Sequence, residues 1–184
     1  MTTLATPHAY GVITEPATLT IQRLLPGPIE RIWAYLTDGE LRRKWLAAGT
    51  MELKVGAPFE FVWRNDELTD PPGPRPDRFP EEDRLQSRIT AVDPPHRLAF
   101  DWQDSDGVTI DLETVGNDVL LTVTHRRLPS RTTLIDVASG WHRHLDFLVA
   151  QANGSQEGPF WAGWSRLHEE YSRRIPADAG GPAD

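Results

Sequence analysis

From Pro58 to Arg126 apolar residues fall on alternate positions in run after run, and that period of two limits the segment to a sheet greasy on one face only. In "PFEFVWR" (58–64) Phe59, Phe61 and Trp63 point one way, while Glu60, Val62 and Arg64 point the other. In "RLAFDWQ" (97–103) Leu98, Phe100 and Trp102 oppose Asp101 and Gln103. "VTIDLETV" (108–115) sets Val108, Ile110 and Leu112 against Thr109, Asp111 and Glu113. "VLLTVTHR" (119–126) sets Val119, Leu121, Val123 and His125 against Thr122, Thr124 and Arg126. Turn residues punctuate the runs: "DPPH" ahead of 97 and "GND" ahead of 119. "RLQSRITAV" (84–92) and, more weakly, "ATLTIQRLL" (17–25) complete the set. "MELKV" (51–55) is read as one more strand, with Gly56–Ala57 as a type II′ pair leading into 58–64. Six or seven such strands make an antiparallel meander covered on one side.

The cover comes from segments of a different period. In "GPIERIWAYLTD" Ile29, Ile32, Trp33 and Leu36 form one stripe of a short helix, and "DGELRRKWL" predicts a second, ending near Trp45. Ser130 is a suitable N-cap for a long helix. Its stripe is Leu134, Ala138, Trp141, Leu145, Leu148 and Ala152, and Asn153–Gly154 ends it. Phe160, Trp164, Leu167 and Tyr171 mark a last helix. Residues 1–15 and 176–184 are read as loose ends of one domain spanning 16–175. The stretch "NDELTDPPGPRPDRFPEED" (65–83) has no period and joins strands that a tight turn could have joined. It is read as a disordered insertion, with a lid as the alternative.

Magnitudes then demand curvature. Six or seven strands spaced about 4.8 Å apart span roughly 30 Å, whereas one helix covers about 10–12 Å. The sheet must curl around the helix, leaving room between them for a small-molecule pocket. The expected lining is Trp45, Phe59, Phe61, Trp63, Leu85, Phe100, Trp102, Ile110, Leu121, Val123 and His125, faced by Trp141, His144, Leu145 and Leu148. Inward polar groups are few: His125, with Ser87, Arg88 and His144 as further candidates. The alternative is that the rings meet and fill the space as core.

At this point the residues carry a resemblance. "PIERIWAYLTDGELRRKWL", "VDPPHRLAFDW", "LLTVTH" and "GWHRHLDFL", in this order, resemble the START-related SRPBCC superfamily. The resemblance is closest to its bacterial branch named after the activator of heat-shock-protein ATPase homologue. It implies an α+β helix-grip fold, in which a curved antiparallel sheet wraps a long C-terminal helix around a hydrophobic cavity. The superfamily holds lipid and hormone carriers, polyketide aromatase/cyclases and co-chaperone-like proteins, so the fold leaves function open. The long proline-rich loop departs from the usual pattern.

Candidate chemistry is sparse. His142 and His144 stand about 200° apart around a helix and cannot share a metal. His142 is expected to face outward with Asp146 as its partner, and His144 to reach the cavity edge. His125 is either a hydrogen-bonded rim histidine or a ligand contact with acid–base capacity. Asp101, Asp111 and Glu113 fall on the wet face. No cysteine is present, and the net charge of -8 argues against nucleic-acid and anionic-membrane surfaces. No signal peptide or spanning segment is visible, so a cytoplasmic protein without cofactor or metal is expected. The leading expectation is non-catalytic binding of a small hydrophobic or aromatic molecule. An aromatase/cyclase-like enzyme using His125 is the second. A co-chaperone-like partner domain that stimulates a chaperone ATPase is the third. Trp161, read as exposed, is the candidate contact for a homodimer.

Overall fold

The computed structural model describes residues 7–15 and 17–179. Residues 1–6 and 180–184, read above as parts of loose ends, lie outside the described residues, as does Pro16. Seven strands form one curved antiparallel sheet in the order β1-β2-β7-β6-β5-β4-β3. They are β1 (Val12–Glu15), β2 (Thr18–Pro26), β3 (Pro58–Trp63), β4 (Asp83–Asp93), β5 (Arg97–Phe100), β6 (Val108–Val115) and β7 (Asp118–His125). The period-two residues share the inner face in register. Leu19 lies opposite His125, Ile21 opposite Val123 and Leu25 opposite Val119, all buried. Ile110 pairs with Val123 and Leu112 with Leu121 on the other flank of β7. Arg23 also falls on this face, and its guanidinium reaches Asp146 at 3.6 Å.

Two expectations about strands are corrected. Residues 51–55 form no strand, because the outer edge of β3 accepts a single bridge, Ala48 to Val62, and Leu53 and Val55 stay exposed. Gly56 and Ala57 turn the chain and bond Ile89 instead of forming a hairpin with 51–55. The seventh strand is β1, in a segment read as loose. It covers the open edge of β2, and Ile13 and Tyr10 pack against the core. At the other end of the chain residues 176–179, also read as loose, form a turn, and Ala179 packs against the core. A further difference is that β5 stops at Phe100, so Trp102 sits on a turn.

Four helices complete the fold. In α1 (Ile29–Thr37) the residues Ile29, Ile32, Trp33 and Leu36 are buried, as their spacing predicts. The one-turn α2 (Gly39–Arg42) is capped by Asp38, whose Oδ1 accepts from the Glu40 and Leu41 amides, and it ends before Trp45. The Arg42 side chain turns inward and donates to the carbonyls of Leu36, Ala47 and Gly49. Burial lowers its pKa to about 10. The long helix α3 (Arg131–Asn153) starts at Ser130, whose Oγ accepts from the Thr133 amide at 3.1 Å. It ends at Gly154 in the left-handed conformation, φ 66°.

The last helix, α4 (Phe160–Arg174), packs along α3 on the side away from the sheet. This second cover explains why α3 is buried nearly all round, where a single stripe was expected. Arg143 is 2% exposed and ties the α3–α4 connection together. Its guanidinium meets Glu157 at 2.7 Å and donates to the carbonyls of Gly158, Pro159 and Phe160. No helix among the described residues is long and apolar enough to cross a membrane.

Candidate functional site

Most of the space expected between sheet and helix is filled. Phe59 meets Phe61 edge-on at 4.9 Å between centroids, and Phe61 meets Phe100 at 5.2 Å. Trp45, Leu85, Ile110, Leu121, Val123, Leu145 and Leu148 are buried in the same cluster. These residues, expected to line a cavity, are core instead. Interdigitated rings at such distances leave no gap for a guest. Trp45 is further fixed by its Nε1, which donates to the Tyr35 carbonyl at 2.9 Å.

His125 is also core. Its Nδ1 accepts from Trp141 Nε1 at 3.2 Å, which places the neutral ring's proton on Nε2. Nε2 faces Ser105 Oγ at 3.1 Å, and that hydroxyl in turn donates to the Trp102 carbonyl. Burial holds the imidazole at about 3. A ring with both nitrogens engaged and so low a pKa has no free lone pair with which to act as a base. Arg88, another interior candidate, is exposed, and Ser87 is bound to Asp101.

A pocket of about 210 Å³, partly open to solvent, lies to one side, where the ends of β3 and β4 and the turn after β5 meet α3 and α4. Four expected residues line it: Trp63, Trp102, Trp141 and His144. Trp161, Trp164, Phe160 and Phe79 complete its aromatic walls, with Leu46, Val137 and Gly140 between them. Trp161 is thus buried at 2% exposure, contrary to its expected exposure for a homodimer contact. It was misread because the partner that covers it comes from the loop 65–83.

That loop is packed rather than disordered. Asp66 Oδ1 accepts from Trp161 Nε1 at 2.6 Å, Thr69 Oγ1 from the Phe160 amide at 3.0 Å, and the Pro72 carbonyl from the Trp161 amide at 2.9 Å. Phe79 wedges between Trp161 and Trp164, with centroids at 5.1 and 5.0 Å. Arg78 stacks over Phe79 and grips Asp136 of α3 through two bonds of 2.7 and 2.8 Å. Two planar anchors and a bidentate ion pair hold a segment that lacks any periodic pattern. The loop forms one wall of the cavity.

The cavity's polar groups are few and specific. Asn65 Oδ1 is buried without a partner. Asp136 faces the cavity while held by Arg78 and by His168 at 3.0 Å. His144 Nδ1 meets the Trp45 carbonyl at 2.8 Å, and burial keeps the ring at about 4. His142, expected outside, is buried instead: its Nδ1 accepts from the Tyr171 hydroxyl at 2.9 Å, and Tyr10 packs on its ring. The same hydroxyl accepts from the Gly11 amide at 2.8 Å, so strand β1 depends on this pair. Among the described residues no three His, Cys, Asp or Glu side chains are placed to hold a metal ion.

Sequence reasoning missed Phe79, Asn65, Phe160, Trp161, Trp164 and Gly140. The signal available was the i, i+1, i+4 cluster Phe160, Trp161 and Trp164, whose rings cannot all lie on one narrow stripe. A helix so rich in rings requires cover on two sides.

Comparisons with known proteins agree with this architecture. A family model described as activator of Hsp90 ATPase homolog 1-like protein matches residues 26–153. The solution structure of the protein encoded by gene BPP1335 of Bordetella parapertussis is similar, with a TM-score of 0.76 and 31% identity over 97% of each chain. CalU16 of Micromonospora echinospora gives a TM-score of 0.61 at 20% identity, over 85% of this chain and 86% of that one. EF2215 of Enterococcus faecalis, a conserved protein of unknown function, gives 0.62 at 18%, over 88% and 86%. No curated protein matches. From the family match across most of its sheet and its long helix, the chain belongs to the activator of Hsp90 ATPase homolog 1-like family, on a helix-grip fold.

Proposed function

We propose that this protein binds a small apolar or aromatic molecule, without transforming it, in the cavity between α3, α4 and the loop 65–83. The observation that carries this reading is a space of about 210 Å³ left open inside a ring of five tryptophans, Trp63, Trp102, Trp141, Trp161 and Trp164. A guest of matching shape would supply the aromatic walls with dispersion contacts that solvent there does not. A dry cavity of about 150 Å³ accepts benzene, whereas drug-sized ligands occupy about 300–1,000 Å³. The guest therefore has one or two rings and is not a lipid or sterol. The cyclase alternative relied on His125, which lies behind Trp141 with both nitrogens engaged.

Gly140 provides the test. It lines the cavity in the middle of α3, and a Cβ added there meets no atom within 4 Å. Gly140→Leu therefore fills the cavity without a clash at Cβ and removes a residue that costs about 1 kcal/mol in a helix. Two-ring aromatic probes titrated against tryptophan fluorescence should saturate the natural protein. The variant should melt at the same or higher temperature and bind at least tenfold more weakly. Equal binding by both proteins would locate the guest elsewhere.

A further inference from the structure

The polar atoms on the cavity wall restrict the chemistry of the guest, and this step rests on the binding reading above. A carbonyl oxygen can only accept, so the 2.8 Å contact between His144 Nδ1 and the Trp45 carbonyl fixes the proton on Nδ1. Nε2 of the neutral ring is then a lone pair, and among the described residues no group hydrogen-bonds to it. The ring lines the cavity and is itself pinned, packing against Phe160 at 5.1 Å. Asn65, on the loop wall, keeps its Oδ1 buried without a partner, out of reach of a guest in the cavity. Of the five indole N–H groups around the cavity, two are committed, Trp141 to His125 and Trp161 to Asp66. Carboxylates of Glu81, Asp83 and Asp136 also contribute to the lining, while no lysine or arginine does.

We infer that the cavity selects a one- or two-ring aromatic molecule that presents an O–H or N–H to His144 Nε2 and carries no negative charge. A phenol, indole or arylamine satisfies this description. A plain arene leaves that acceptor unpaired, and an aryl carboxylate brings its charge beside Asp136, Glu81 and Asp83 with no lysine or arginine in the lining. Burial keeps His144 neutral well below physiological pH, so the acceptor persists in the cell's range.

Three probes of nearly equal shape decide the matter: 2-naphthol, 2-methoxynaphthalene and 2-naphthoate, each titrated by calorimetry at pH 7.5. The expected order is 2-naphthol tighter than the methyl ether by about tenfold, since one unmet buried acceptor costs about that much, with 2-naphthoate weakest. His144→Asn keeps an N–H for the Trp45 carbonyl and removes the Nε2 acceptor. In that variant the preference for naphthol over its ether should fall to about twofold, chiefly because the ether, no longer leaving an acceptor unmet, binds more tightly. If all three probes bind within twofold of one another, or naphthoate binds best, the selection is wrong and the binding reading survives. If no probe binds, both are overturned. Should His144→Asn fail to fold, the comparison of probes on the natural protein still decides.

Discussion

Acid should unfold this protein at a pH where its carboxylates are still charged, and the cause would be three buried histidines. Burial holds the imidazoles of His125, His142 and His144 at about 3, about 3 and about 4. All three are neutral in the folded state down to pH 5, whereas in the unfolded chain they titrate at about 6.5. The unfolded state therefore binds more protons between pH 7.5 and 5, and stability falls as pH falls through that window. Each histidine contributes about 2 kcal/mol to the loss by linkage, so three contribute about 6 kcal/mol. That is comparable with the whole stability of a typical domain, about 5–15 kcal/mol. Asp146, whose carboxyl burial pushes upward, acts in the opposite sense, as one group against three. Urea unfolding followed by tryptophan fluorescence at pH 7.5, 6.5, 5.5 and 5.0 measures the effect. The midpoint should drop steadily, with an uptake approaching three protons on unfolding near pH 5. A loss below about 2 kcal/mol over the full range would mean that the rings are charged or hydrated in the folded protein, and the packing described for α3 would be refuted.

Other perturbations separate the loop, the cavity and the α3–α4 contact. Gly163→Ala would push a methyl group into the pinned Arg143 guanidinium and should cost about 3 kcal/mol, read from the urea midpoint. Arg78→Ala removes a half-exposed ion pair to Asp136, so stability should change by less than about 1 kcal/mol. Probe release, measured by stopped-flow fluorescence, should nonetheless quicken several-fold as the loop loosens. Phe79→Ala strips cover from Trp161 and Trp164, and should red-shift tryptophan emission with a loss of about 2 kcal/mol.

The sheet was readable because one-sided strands carry their own address. Ile21, Leu112 and Val123 could not alternate as they do and face anything but a core. Helix α1 was readable for the same reason at a different period. Strand β1 was not readable. Only four residues long, it is set by the vacant edge of β2 and by the bond from the Gly11 amide to Tyr171, a residue 160 positions away. The cavity was half legible. Trp63, Trp102 and Trp141 announced themselves through periodicity, yet the same logic also nominated Phe59, Phe61 and Phe100, which touch one another. Alternation reports which way a ring points and is silent on whether another ring meets it there. The wall from Asn65 to Asp83 was least legible, because proline-rich chain is held by individual contacts such as Asp66 to Trp161 and not by any repeat. His142 was placed outside for a related reason: a helical wheel drawn for one cover cannot anticipate a second.

The junction of β3 and β4 has a consequence for how binding preference could diversify. Trp63 and Asp83 are paired residues of adjacent strands, so the ladder is complete up to the point where the long excursion leaves and returns. Lengthening such an excursion costs the fold little, since closure entropy grows only with the logarithm of chain length. The sheet and the loop that walls the pocket are thereby uncoupled. One segment can be exchanged wholesale to reshape the entrance for a new guest, while the hydrogen-bonded ladder beneath it keeps the same register.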